Sequence, residues 1–273
     1  MLFARSIGRA QMRVQSLSVL LGLAAGTVAS SAVAAPLAPA THADFRYYTF
    51  ALTWQPGICG TDEGCLADQP KTDLIGLHGL WASLPQTLVD RGVAPQQWWQ
   101  RGCDYFEHTD AAPPLDGALA QRLGRVMPHF TQDLLTHEYD KHVACFGFDP
   151  TQFFTTELAM HDAVVASSFG RYLLQREGAQ LSHPAVVAAF AAAFATDAAA
   201  SLQLRCGNDT AGRTVLTQFW ITIAADRLSA FPQPGSLIDA PIAQDDCPAA
   251  FVLPAWPDSS ASSGSEPKPS PGF

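Results

Sequence analysis

Apolar residues fall into two kinds of pattern along this chain, and the change between them marks its elements. Tyr47 to Trp54 is dense in aromatic and β-favouring residues and ends at Gln55-Pro56-Gly57, which predicts a buried strand stopped by a turn. Asp73 to Trp81 reads as a second strand, whose Gly76 and Gly79 allow close backbone approach around His78. From Pro95 the apolar spacing turns helical, predicting helices over Gln96 to Arg101, Leu115 to Met127, Phe130 to Tyr139, Thr151 to Gln175 and Pro184 to Thr196. Pro184 and Asp149-Pro150 supply start signals. Leu202 to Cys206 and Thr214 to Ala225 return to β-type residues, with Gln218-Phe219-Trp220-Ile221-Thr222-Ile223 the clearest strand. Strands, then helices, then strands in runs indicate an α+β fold, not alternating βαβ units.

The two ends follow other rules. Arg5, Arg9 and Arg13 precede an apolar run from Leu17 to Val28 and the small residues Ala32-Val33-Ala34, so residues 1–34 read as a secretory signal peptide cleaved after Ala34. The run is too short for a stable membrane span. Residues 35–256 are then expected to form a single domain. Residues 257–273, mostly serine, proline and glycine, read as a disordered tail with too few apolar side chains to offset the entropy of ordering.

Charge and cysteines narrow the function. The chain carries 16 basic against 25 acidic side chains, and loss of the three signal arginines leaves 13 against 25, a formal charge of −12. Such a surface is a poor footprint for coating nucleic acid by bulk attraction. A local cationic cleft can still dominate, because exposed charges are screened beyond roughly 8 Å at physiological salt. Six cysteines in an exported chain read as a disulfide framework. Spacing singles out Cys59–Cys65 as a local loop and leaves the pairing of Cys103, Cys145, Cys206 and Cys247 open. No pair has the short C-x-x-C spacing of a structural zinc site.

The densest chemistry lies in His137-Glu138-Tyr139-Asp140-Lys141-His142, with a further histidine in Gly76-Leu77-His78-Gly79-Leu80-Trp81. If the first segment is helical, Glu138 and His142 share a face, with Lys141 beside them and His137 aligned with Lys141. A zinc-protease helix needs histidines four apart. His137 and His142 are five apart, about 140° around a helix, which disfavours one shared metal. No G-x-S-x-G elbow supports a serine hydrolase. The bland alternative is a solvated charged face with Glu138–Lys141 as a surface ion pair. Two histidines from separate segments, by contrast, are what metal-free acid–base cleavage of a phosphodiester requires.

The wording of both segments decides between these. Gly76 to Ser83 resembles the first active-site motif, and His137 to Cys145 the second, of the ribonuclease T2 family of secreted, metal-independent endoribonucleases; its bacterial periplasmic members look closest. Ala51-Leu52-Thr53-Trp54-Gln55-Pro56-Gly57-Ile58-Cys59 is similar to the family's first core strand and cysteine, so the likeness spans Tyr47 to about Cys247. The resemblance implies a central antiparallel sheet packed by helices, and disulfides Cys59–Cys65, Cys103–Cys145 and Cys206–Cys247. It implies His142 as general base, His78 as general acid, Lys141 and Glu138 as stabilisers of the phosphorane, and His137 as a phosphate holder. Trp81 is expected to offer a platform for a base, which favours low base specificity.

Single-stranded RNA is then the expected substrate, cut to 2′,3′-cyclic ends that are hydrolysed slowly to 3′-phosphates, with DNA inert for want of a 2′-hydroxyl. No cofactor or metal is implied, no membrane contact follows signal removal, and a monomer is expected. Tyr139, Val143 and Ala82 depart from the tryptophan, glycine and proline common in the family. Val143 would be strained if its position needs φ > 0, and an inactive RNA-binding protein on this scaffold is the rival reading. Glu138 and the acidic surroundings are expected to raise histidine pKa values, giving an optimum at or below neutrality. His42, His108, His129, His161 and His183 are assigned surface or structural roles.

Overall fold

The computed structural model describes residues 36–62 and 64–257. The expected signal peptide, and the expected tail beyond Pro257, lie outside the described residues. The elements in chain order are β1 (Tyr47–Trp54), α1 (Gln55–Cys59), β2 (Ile75–Ala82), α2 (Gln86–Asp90), α3 (Pro95–Arg101), α4 (Gly117–Val126), α5 (Leu134–His142), α6 (Pro150–Ala166), α7 (Ser168–Leu174), β3 (Gln180–Ser182), α8 (His183–Phe194), β4 (Leu202–Asn208), β5 (Thr214–Ala224) and β6 (Ala250–Val252). Short 3₁₀ turns link several of them. The fold is α+β, as the run of strands, helices and strands predicts.

One sheet organises the molecule. Its strands follow the order β2-β1-β5-β6-β3, with β4 also paired to β5. All pairings are antiparallel except a single parallel bridge, Val215 to Val252, between β5 and β6. Strand alternation divides the two faces. Tyr48, Phe50, Leu52 and Trp54 of β1, Leu202 and Leu204 of β4, and Phe219, Ile221 and Ile223 of β5 are buried in the core. Phe169 of α7 closes that core, its ring 5.7 Å from Phe219 and 5.4 Å from Phe190 of α8. The opposite residues, among them Tyr47, Thr49, Gln203, Gln218, Trp220 and Thr222, line a cleft.

Three local departures from the sequence pattern have physical causes. Gln55-Pro56-Gly57 is the start of the one-turn helix α1, not a bare turn, because Pro56 occupies its first turn where a missing N–H costs nothing. The helix expected over Thr151 to Gln175 is two. Ser167 stops α6 and caps α7, its hydroxyl accepting from Gly170 N–H at 3.0 Å. The helix expected from Phe130 begins at Leu134, after the Asp133 side chain accepts from Thr136 N–H, and runs through His142. All of His137 to His142 therefore sits on α5. The three disulfides form as the resemblance implies, Cys59–Cys65, Cys103–Cys145 and Cys206–Cys247.

Candidate active site

His78 reaches the cleft through an irregularity in its strand. Ala51 pairs with Gly79 and Leu52 with Leu77, so His78 is the extra residue of a bulge in β2. A bulge re-aims a side chain that regular alternation would place otherwise. Helix α5 lies against this strand, and Gly79 makes the approach feasible, since a Cβ there would overlap the Glu138 carboxylate. The other end of α5 is set by Gly102, at φ +51, where any Cβ would overlap the Lys141 carbonyl, and by the neighbouring Cys103–Cys145 bond.

Glu138 is 3 % exposed, which removes the bland reading of a solvated ion pair with Lys141. Its Oε2 accepts the Trp81 indole N–H at 2.5 Å, and its Oε1 lies 3.3 Å from His78 Nε2. Burial by itself would push this carboxyl up. The charge and hydrogen bond of His78, the charge of His142 and the Trp81 N–H outweigh it and hold the pKa near about 2. Burial, and then the nearby Glu138 charge, raise the Glu157 carboxyl of α6 well above the usual carboxylate range.

His78 and His142 occupy opposite environments. His78 Nδ1 lies 3.0 Å from Gln218 Oε1, which also accepts the Trp220 indole N–H at 2.9 Å. Because an indole N–H can only donate, the Gln218 oxygen is the acceptor for both. Both ring nitrogens of His78 thus face oxygens, Gln218 Oε1 at 3.0 Å and Glu138 Oε1 at 3.3 Å. His142, at the end of α5, has its Nδ1 shut off from solvent without a partner. Desolvation pushes its pKa down to about 4; Glu138 opposes this, while Lys141, His137 and His78 add to it. The expectation that the carboxylate raises this histidine is therefore corrected: burial outweighs the neighbouring charge.

The remaining predicted residues gather around the same space. Lys141 has no acidic partner among the described residues and lines the cleft with His137. His137 accepts from Gln132 Nε2 at 3.1 Å, its ring 6.5 Å from that of His142 and nearly perpendicular. Trp81 lines the cleft too, flanked by His78 at 5.2 Å, His142 at 5.4 Å and Trp220 at 5.3 Å. The cleft has a volume of about 320 Å³. Gln218 and Trp220 escaped sequence reasoning; their signal was weak, two polar-edged residues alternating with buried Phe219 and Ile221.

Val143 has φ −127, so its position does not require a positive φ and the β-branched side chain is unstrained. Tyr139 is buried with its ring 6.3 Å from Phe154, and the Ala82 carbonyl accepts the Trp98 indole N–H at 3.0 Å. The other histidines are engaged elsewhere. His42 stacks on Phe106, His108 faces Asp140, His129 faces Asp68, His161 meets the Ile75 carbonyl and His183 faces Asp245. Among the described residues no three histidine, cysteine or acidic side chains are grouped to hold a metal ion, and no helix is long and apolar enough to cross a membrane.

Comparison with known proteins meets this geometry. Ribonuclease I of Escherichia coli (strain K12) is 31 % identical over 253 residues, covering 82 % of this chain and 91 % of that protein. A ribonuclease of Aeromonas hydrophila is 30 % identical over 141 residues, 51 % of this chain and 54 % of that one. Two solved structures share the fold: RNase NT in complex with 5′-AMP, with TM-score 0.53 and 19 % identity over 78 % of this chain and 99 % of that one, and ribonuclease MC1 from bitter gourd seeds, with TM-score 0.51 and 21 % identity over 76 % and 100 %. The sequence profile of the ribonuclease T2 family matches residues 45–234. With that profile matched over more than half of the chain and the Escherichia coli relative covered over most of its length, this chain belongs to the ribonuclease T2 family.

Proposed function

We propose that the protein is an exported endoribonuclease that cleaves single-stranded RNA in two steps, with little base specificity. The observation that carries this reading is the pair of imidazoles in opposite environments across one cleft. His142, with its pKa near about 4, is neutral at mildly acidic and neutral pH and can take the proton of the 2′-hydroxyl. His78, with oxygens at both nitrogens, is set up to give a proton to the departing 5′-oxygen. The burial of His142 and the two oxygens facing His78 are what separate the base from the acid in this reading.

The attacking 2′-oxygen bonds to phosphorus as the bond to the 5′-oxygen breaks, leaving a 2′,3′-cyclic phosphate. In the second step the roles reverse, and water attacks the cycle to leave a 3′-phosphate. Lys141 supplies positive charge for the phosphorane, His137 holds a non-bridging oxygen, and buried Glu138 keeps His78 oriented and balances its charge. Trp81 positions Glu138 through its N–H and presents its ring to the substrate. DNA has no 2′-hydroxyl and should be left intact.

The test is incubation of oxidised protein with total RNA in excess EDTA, following 2′,3′-cyclic ends beside His142→Ala and His78→Ala. Loss of an acid or base is expected to slow cleavage by about 10²- to 10⁴-fold. Wild-type rates in either folded variant would sink the assignment. The strain at Val143 on which the inactive RNA-binding alternative rested is absent from the backbone.

A further inference from the structure

Strand β2, which carries His78 and Trp81, ends the sheet, with β1 as its strand neighbour. Alternate residues of such an edge strand turn their backbone N–H and C=O outward, away from the ladder. The flanking bonds fix which ones. Gln55 N–H donates to the Leu74 carbonyl at 2.8 Å, and Ser83 N–H to the Tyr47 carbonyl at 2.8 Å, so Ile75, Leu80 and Ala82 are among the residues whose groups face out. Three side chains meet them. Trp98 of α3 donates its indole N–H to the Ala82 carbonyl at 3.0 Å. His161 of α6 has Nε2 3.0 Å from the Ile75 carbonyl, and since a carbonyl only accepts, that nitrogen carries the proton. Glu157, one helical turn before His161 and on the same face of α6, accepts the Leu80 N–H.

Glu157 is an expensive residue for this place. It is 1 % exposed, and its Oε2 has no hydrogen-bond partner among the described residues. Burial, and then the Glu138 charge, favour its protonated form. A leucine here would remove the unpaired oxygen but would leave the buried Leu80 N–H without an acceptor. The contact to Leu80 is thus what the carboxyl contributes. Together with His161 it brackets the bulge: Ile75 lies three residues before His78 and Leu80 two after it. At His78 the ladder to β1 is interrupted, and on its outer side an edge strand has no second strand to hold it. The same stretch carries Gly79 and Trp81, against which the Glu138 carboxylate is seated on the cleft face.

We propose that Glu157 and His161 of α6 are positioning residues, an edge clamp on either side of the His78 bulge that keeps His78 and Trp81 aimed into the cleft. The proposal rests on the ribonuclease reading and names what holds its acid in place. Neither side chain lines the cleft, so both act through the backbone of β2. Their effect falls on the alignment of His78 with the departing oxygen and not on the capture of phosphate, since His137 and Lys141 belong to α5.

The experiment compares wild type with Glu157→Leu, Glu157→Gln and His161→Leu. It measures kcat and KM on a dinucleotide below the melting transition of each variant, and the Trp81 indole N–H resonance by NMR. Glu157→Leu should lower kcat by about ten- to a hundredfold, the range for displacing a reacting group by about 1 Å from a remote position, with KM unchanged. His161→Leu should do the same. Glu157→Gln keeps the acceptor for Leu80 N–H and should restore kcat. The Trp81 resonance should move in both leucine variants and return in the glutamine variant. Should Glu157→Leu not fold, His161→Leu carries the same test from the other side of the bulge. Leucine variants with a lowered melting temperature but wild-type kcat and an unmoved resonance would reduce the contacts to plain stability and overturn the clamp. A glutamine variant as slow as the leucine one would overturn it too. If wild type does not cleave RNA, the ribonuclease reading falls, and the Trp81 resonance decides the clamp by itself.

Discussion

Two histidines of the same intrinsic basicity are made unlike by what touches them, and that contrast is testable one residue at a time. Gln218 holds His78 Nδ1 and is itself fixed by Trp220. Gln218→Leu should lower kcat/KM by about three- to tenfold, the effect of losing one hydrogen bond, while Gln218→Glu, which retains an acceptor for His78 Nδ1, should keep more of the rate. For the acid limb the sign follows from His142. Its pKa is lowered to about 4, so the base is lost only as pH falls through about 4, and kcat/KM should hold from neutrality down to that region. Because Glu138 raises the His142 value against burial, Glu138→Gln should shift the acid limb to still lower pH while reducing the rate. An acid limb near pH 6.5 would contradict the burial of His142. His78, His137, Glu138, Lys141 and His142 were legible in the sequence because one helix and one short strand carry them. Gln218 was not, since it meets His78 across 140 positions of chain with no local pattern to announce it.

The elements that carry these residues were legible in proportion to their length. The aromatic runs of β1 and β5 and the helical spacing of α8 repeat often enough to show a period, whereas β3 and β6 have three residues each and show none. The break between α6 and α7 was hidden because apolar spacing continues through Ser167, and only its cap geometry separates the two helices. Helix α5 carries His137, Glu138, Lys141 and His142, four of the five candidate catalytic residues. Asp133 caps its start, and the 42-residue loop closed by Cys103–Cys145 pins its end. In the chain-entropy treatment a loop of that size contributes about 4 kcal/mol, so the double variant Cys103→Ala, Cys145→Ala should lose roughly that much in denaturant unfolding. Asp133→Ala should lose about 1 kcal/mol. If α5 is held mainly by that bond, kcat should fall in the double variant at temperatures where far-ultraviolet dichroism still reports a folded chain. Full activity up to the melting transition would show that Glu138, wedged against Gly79, suffices to hold the helix.

At the scale of the whole molecule the lysine-bearing cleft and the acidic body oppose one another. The full chain carries a formal charge of −9, yet Lys141, with no acidic partner among the described residues, lines the cleft beside His78 and His137. Long-range repulsion between body and RNA acts over a Debye length of about 30 Å at 0.01 M salt and about 10 Å at 0.1 M. Attraction within the cleft acts over a few ångströms and is screened much less. Raising salt through this range should first relieve the repulsion, so kcat/KM on long RNA should increase before it declines at higher salt. A dinucleotide, with a single phosphate, should show a much smaller rise. Basic nucleic-acid binders behave in the opposite way, losing affinity steadily as salt displaces them from phosphates. A monotonic steep fall on long RNA from the lowest salt would therefore mean that an extended cationic track, and not this confined cleft, captures the substrate.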